Sequence, residues 1–88
     1  MALLIEWDER AIKDAKKLGI NAGQEIVTYL KKRIAAKGDP RRFSEALVGE
    51  KSGLWRYKVR DYRVICRIED NRLIVLVLAL GQRKEVYD

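Results

Sequence analysis

The apolar residues of this chain change their spacing near its middle, from every third or fourth position to every second, and one type of secondary structure cannot satisfy both periods. In the first half, Trp7, Ala11, Ala15 and Leu18 fall along one side of a helix, and Ala22, Ile26, Val27, Leu30 and Ile34 along one side of another. Asp8 is placed to cap the first helix with its carboxylate, and Gly19 to stop it. Asn21 with Gln24 resembles a capping box for the second, which Gly38 and Pro40 close. So short a connection predicts an antiparallel helical hairpin.

The second half reads as strands. Trp55, Tyr57 and Val59 alternate with Arg56, Lys58 and Arg60, and then Tyr62, Val64, Cys66 and Ile68 alternate with Arg63, Ile65 and Arg67. Asp61 marks one reversal and Asp70-Asn71 the next. Leu73 to Leu80 is apolar throughout, which suits a central strand covered on both faces or one near a partner surface. With a short first strand at residues 3 to 7, and a polar loop anchored by Phe43 and Leu47, the expected order is β-α-α-β-β-β. The fold class is therefore α+β: one domain over residues 1–88, a helical hairpin packed on an antiparallel sheet.

Composition narrows the setting. Cys66 is the only cysteine, so no internal disulfide can form and a reducing cytoplasm is expected. The N-terminus lacks a basic start, apolar run and cleavage site, so export is not expected; the apolar run in the last strand is far below the ~20 residues of a membrane-crossing helix. No membrane partner is predicted. A net charge of +6 and a pI near 9.7 instead point to a polyanion.

Alternation gathers that charge onto one face. Between Leu54 and Arg67 lie Arg56, Lys58, Arg60, Arg63 and Arg67 against Asp61 alone, and the alternate positions opposite the core contain no acid. Like charges across a sheet repel, so such a cluster favours an anionic ligand over a face kept merely soluble. Arginine's planar fork matches phosphate oxygens in pairs, while lysine supplies a point charge. These side chains are expected to face solvent, with Arg60 and Arg67 extending the patch toward RNA. A second basic group at the end of the second helix, including Lys31 and Lys32, offsets the helix dipole and offers accessory contact to RNA.

The absence of histidine excludes a two-histidine ribonuclease mechanism and Ser–His or Cys–His triads, and it leaves no ordinary zinc site. No metal or cofactor is expected. Cys66, between Val64 and Ile68, reads as a small buried hydrophobe.

The run Leu47-Val48-Gly49, Leu54-Trp55-Arg56-Tyr57-Lys58-Val59-Arg60, Asp61-Tyr62-Arg63-Val64 and Gly81-Gln82-Arg83-Lys84-Glu85-Val86-Tyr87 resembles the RelE/ParE toxin superfamily. Asp8-Glu9-Arg10-Ala11 and Lys16-Lys17-Leu18-Gly19 resemble its RelE branch. The similarity covers essentially the whole chain, although Arg56 stands where that branch often has lysine. The resemblance implies a toxin of a type II toxin–antitoxin system, held by a cognate antitoxin. It further implies a ribosome-dependent endoribonuclease that enters the A site beside ribosomal RNA and cuts mRNA there by attack of a 2′-hydroxyl on its neighbouring phosphate. By the same resemblance Lys58 helps remove the 2′-hydroxyl proton, and Arg63 with Arg56 holds charge on the phosphorane. Arg83 assists the leaving 5′-oxygen, and Tyr87 stacks on a base or orients the 2′-hydroxyl.

Two other readings share the surface. A ParE-like toxin would keep the fold but poison DNA gyrase, and a plain RNA-binding module would use the cations without chemistry. Cations converging on one phosphate favour the nuclease, since a gyrase binder has no need of them.

Overall fold

The apolar spacing is realised as two helices laid on a five-stranded sheet. The computed structural model describes residues 4–35, 40–69 and 74–82. Its elements are β1 (Leu4–Trp7), α1 (Glu9–Leu18), α2 (Ile20–Ala35), β2 (Glu45–Ala46), β3 (Trp55–Val59), β4 (Tyr62–Glu69) and β5 (Ile74–Gln82), with 3-10 turns at Pro40–Phe43 and Gly49–Lys51. The strands lie in the order β1-β5-β4-β3-β2.

Asp8 caps α1 as expected, its carboxylate accepting the Arg10 backbone N–H at 3.1 Å. The second cap differs from expectation. Gly19, at φ 100°, ends α1, and α2 begins at the very next residue, with the Gly23 N–H donating to the Gly19 carbonyl at 3.0 Å. Asn21 therefore lies inside the first turn and forms no capping box. One glycine serves both helix ends because its left-handed backbone lets the chain reverse without a loop.

The β3–β4–β5 meander is antiparallel as predicted, whereas β1 adds to β5 in parallel, so the sheet is mixed. The helices intervene between β1 and the meander, which lets the first strand return to the sheet running alongside the last. β1 covers β5 only from Ile74 to Val77. Beyond it α1 borders the strand: the Asp8 N–H donates to the Val77 carbonyl at 2.8 Å, and the Asp14 carboxylate accepts the Leu80 N–H at 3.0 Å. A side chain thus satisfies an edge N–H that no strand reaches.

The core lies between this sheet and the helices. Ala11, Ile26 and Leu30 meet Tyr57, Val64, Cys66, Val75 and Val77, all fully buried, with Tyr29 edge-on to Tyr57 at 6.4 Å between ring centroids. Each buried Ile, Leu or Val contributes about 1.5–3 kcal/mol relative to exposure. In β5, Ala79 faces Ile65 while Val77 faces Cys66, which leaves Leu78 as an extra, bulged residue. The bulge places Val75, Val77 and Leu80 on the helical side, so the alternation shifts by one residue after Val77.

Candidate functional site

The β3–β4 hairpin carries the basic cluster. Val59 pairs with Tyr62, so Arg60 and Asp61 make a two-residue turn, and Arg60 adopts φ 55°. Tyr57, Val59, Val64 and Cys66 point to the helices, which turns Arg56, Lys58, Arg63, Ile65 and Arg67 to the other face. Lys58 is directly opposite Arg63, and Arg63 in turn is opposite Gly81. Cross-strand partners hold their Cβ atoms ~4.5–5.5 Å apart, and Arg56 follows two residues along β3, roughly 6.6 Å away. The fold therefore brings Arg56, Lys58 and Arg63 together within the span of one nucleotide.

The three differ in exposure. The Lys58 side chain is 51% exposed, whereas Arg63 is only 8% exposed, which corrects the expectation that the whole set faces solvent. Its Nη1 donates to the backbone carbonyls of Arg60 and Tyr62, both at 2.9 Å. Gly81 across the strand pair carries no side chain, leaving room for the guanidinium to lie against the hairpin. Arg63 is thus both a fixed positive charge beside Lys58 and the internal brace of the turn.

An acid also reaches this face, where the sequence reading expected none. Two-residue β2 pairs Glu45 with Arg56, and the carboxylate contacts two cations: Lys58 Nζ lies 2.9 Å from Oε1, and Arg56 Nη2 hydrogen-bonds Oε2. The hydrogen bond from Lys58 is the largest cause that holds the Glu45 carboxyl below the ordinary carboxylate range; desolvation, next in size, opposes it, and the hydrogen bond from Arg56 with the charge of both cations outweighs that opposition. No periodic pattern marks a strand of two residues. The only available signal was an acid within reach of the hairpin in an otherwise cationic stretch.

The remaining predicted residues are scattered. Arg60, forced out of alternation by its turn, pairs with Glu25 of α2 at 2.5 Å, and so leans toward the helical layer. Arg67 shares the face but sits four residues along β4, roughly 13 Å from Arg63, and pairs with Glu69 at 3.5 Å. Lys31 and Lys32 are exposed on α2, in the layer on the opposite side of the sheet. Arg83 and Tyr87 lie outside the described residues.

A family model for the ParE toxin of the type II toxin–antitoxin system parDE matches residues 5–87. The chain belongs to this toxin family. It is similar to the mRNA interferase toxin RelE of Escherichia coli K12, at 31% identity across 99% of this chain and 92% of the relative. Among solved structures, the RelBE2 toxin–antitoxin complex of Mycobacterium tuberculosis matches with a TM-score of 0.84 at 22% identity, covering 94% of this chain and 93% of that one. A double-arginine mutant of E. coli RelE in the free state matches at 0.77 and 26% identity, covering 98% and 88%.

Concave surfaces of this ParE-family toxin occur on both sides of its sheet. On the face of the cations a cleft of about 530 Å³ is lined by apolar Leu54, Ile65, Leu78 and Ala79 and by charges of both signs, Arg10, Lys17 and Lys51 with Asp8 and Asp14. Ile65 is the cross-strand neighbour of Arg56, so the cleft begins one side chain from the basic cluster. The other is a groove between α1 and α2, lined by Trp7, Ile12, Ile20 and Val27 with Lys16 as its one charge, a poor match for a polyanion. Cys66 is fully buried, and burial pushes its thiol pKa up to about 12, so it is an inert core residue as expected. Among the described residues no cluster suited to a metal ion occurs, and no helix is long and apolar enough to cross a membrane.

Proposed function

We propose that this toxin is an mRNA endoribonuclease of the RelE type, acting in the cytoplasm on message held in the ribosomal A site. The observation that carries the reading is the cross-strand pair Lys58–Arg63 with Arg56 beside it, three cations of one sheet face spaced for a single phosphodiester. The relationship to a protein named an mRNA interferase supports it.

The reaction forms a bond from the 2′-oxygen to phosphorus and breaks the bond from phosphorus to the 5′-oxygen. The 2′-hydroxyl loses its proton, and the departing 5′-oxygen gains one. Negative charge grows on the equatorial phosphorane oxygens only in the transition state, so cations fixed in advance at that position lower the barrier. Arg63, tied to two backbone carbonyls, is such a fixed charge. Lys58, more exposed and on a flexible stem, reaches the 2′-hydroxyl, and Arg56 grips phosphate oxygens. Arg83 and Tyr87 complete the set at the leaving group and the neighbouring base. A site without histidine has modest acid–base power, and ribosomal RNA supplies the in-line geometry that the small domain cannot impose alone.

A cognate antitoxin belongs to this reading, since solved relatives include RelBE complexes from E. coli and M. tuberculosis. An acidic partner would complement the basic face. Purified toxin added to programmed ribosomes should cut message within the A-site codon, read by primer extension. Intact message together with inhibited DNA supercoiling would replace the nuclease by a gyrase poison.

A further inference from the structure

The acid on the basic face has no part in the chemistry above, yet it touches two of the three cations that carry it. Glu45 stands on edge strand β2 opposite Arg56, and its two oxygens are divided between Arg56 and Lys58. Its side chain is half exposed, so no burial forces this arrangement. A carboxylate gripped by a guanidinium and an ammonium is the same chemistry as a phosphodiester gripped by them, since both present paired anionic oxygens.

We propose that Glu45 is an internal stand-in for the substrate phosphate, a latch that occupies the Arg56–Lys58 anion site in the free toxin and is displaced by the incoming phosphodiester of RNA. This deepens the nuclease reading and rests on it for the identity of the ligand. Three consequences follow from the geometry. The latch relieves the repulsion of Lys58 and Arg63 across the hairpin while no RNA is bound. It raises the threshold for binding stray RNA, because a phosphate must compete with a tethered carboxylate. It also makes the ribosome's positioning of the message more important, since a phosphate held in place competes better than one in free solution.

The same contacts would suit a purely structural ion pair, or a carboxylate that itself takes the 2′-hydroxyl proton, and one set of measurements separates the three. The full-length toxin, its Glu45→Gln variant and its Glu45→Ala variant are titrated with a short fluorescent single-stranded oligoribonucleotide over a salt series, and each is assayed on programmed ribosomes. Exposed ion pairs are individually weak, so removing the competing Glu45 carboxylate should tighten binding about three- to tenfold. The logarithmic salt slope should steepen by about 0.7 for each further phosphate engaged. On ribosomes KM should fall while kcat stays within about twofold, the pattern of removed competition in the ground state.

Lower thermal stability with unchanged RNA affinity and salt slope would reduce Glu45 to a structural pair and overturn the latch. Loss of turnover with RNA binding kept would make it a catalytic base and overturn the latch equally. Variants that bind the oligonucleotide no better than wild type, including no binding by any of them, refute the latch whether or not message is cut. Tighter binding by both variants with message left intact would keep the latch and refute the nuclease.

Discussion

Replacing Arg63 by alanine tests the double duty that its position imposes. Arg63 is 8% exposed, and its Nη1 donates to the Arg60 and Tyr62 carbonyls at 2.9 Å each. Nη1 carries two hydrogens, one for each carbonyl, but the acceptors lie at an exposed turn where water can take the place of the guanidinium, so the pair is worth about 2–3 kcal/mol net. Removing the two stem methylenes beyond Cβ from a mostly covered position adds about 1 kcal/mol, after allowing for partial burial. Relief of the like-charge contact with Lys58 returns several tenths of a kcal/mol, on the order of 0.5. The net loss is about 3 kcal/mol, which in a domain of this size lowers Tm by roughly 12–24 °C. Arg63→Met, which keeps the stem, should lose about 2 kcal/mol of this and so separate the bonds from the packing. Circular-dichroism melts of both variants give the stability, and cleavage on programmed ribosomes well below the variant Tm gives the chemistry. Loss of one preorganised charge at the phosphorane should slow cleavage about 10²–10³-fold. An alanine variant melting within about 3 °C of wild type would refute the brace, because a domain this small cannot hide so large a loss.

Lys58→Ala, at a side chain 51% exposed, should slow cleavage strongly yet shift Tm by no more than a few degrees; a large stability loss would contradict its exposed placement. Arg60→Gly should raise stability by up to about 1 kcal/mol through relief of the left-handed backbone at φ 55°, and leave cleavage near wild type because Arg60 leans toward Glu25; a large drop in activity would return Arg60 to the site. The Cys66 thiol, with its pKa pushed up to about 12, stays protonated throughout the neutral range, so iodoacetamide at pH 8 should label it only on unfolding; rapid labelling of native protein would contradict its burial.

The regular elements and the grouping of Arg56, Lys58 and Arg63 were legible because both depend on local periodicity. Asp8 caps because it precedes an apolar helical stripe, and side chains two apart on a strand share a face whatever the remainder of the chain does. Cys66 was legible for the same reason. Where non-local partners decide, local spacing does not carry the outcome. Asn21 looked like a cap until Gly19 was found to serve both helices, and Arg60 looked like part of a basic row until its turn and Glu25 drew it away. β2 was missed because two residues carry no period, and with it went the acid that sits among the cations.

Sequence alone was thus enough to specify both helices, the strands long enough to show a period, the excess positive charge and the exclusion of histidine chemistry, since these are properties of residue type and spacing along one chain. Tertiary structure decided the parallel return of β1 onto β5, the Leu78 bulge, the burial of Arg63 against its own hairpin and the meeting of Glu45 with Arg56 and Lys58. Each depends on which distant segment arrives alongside. A pair energy between residues remote in the chain exists only once the packing of the core has set their separation.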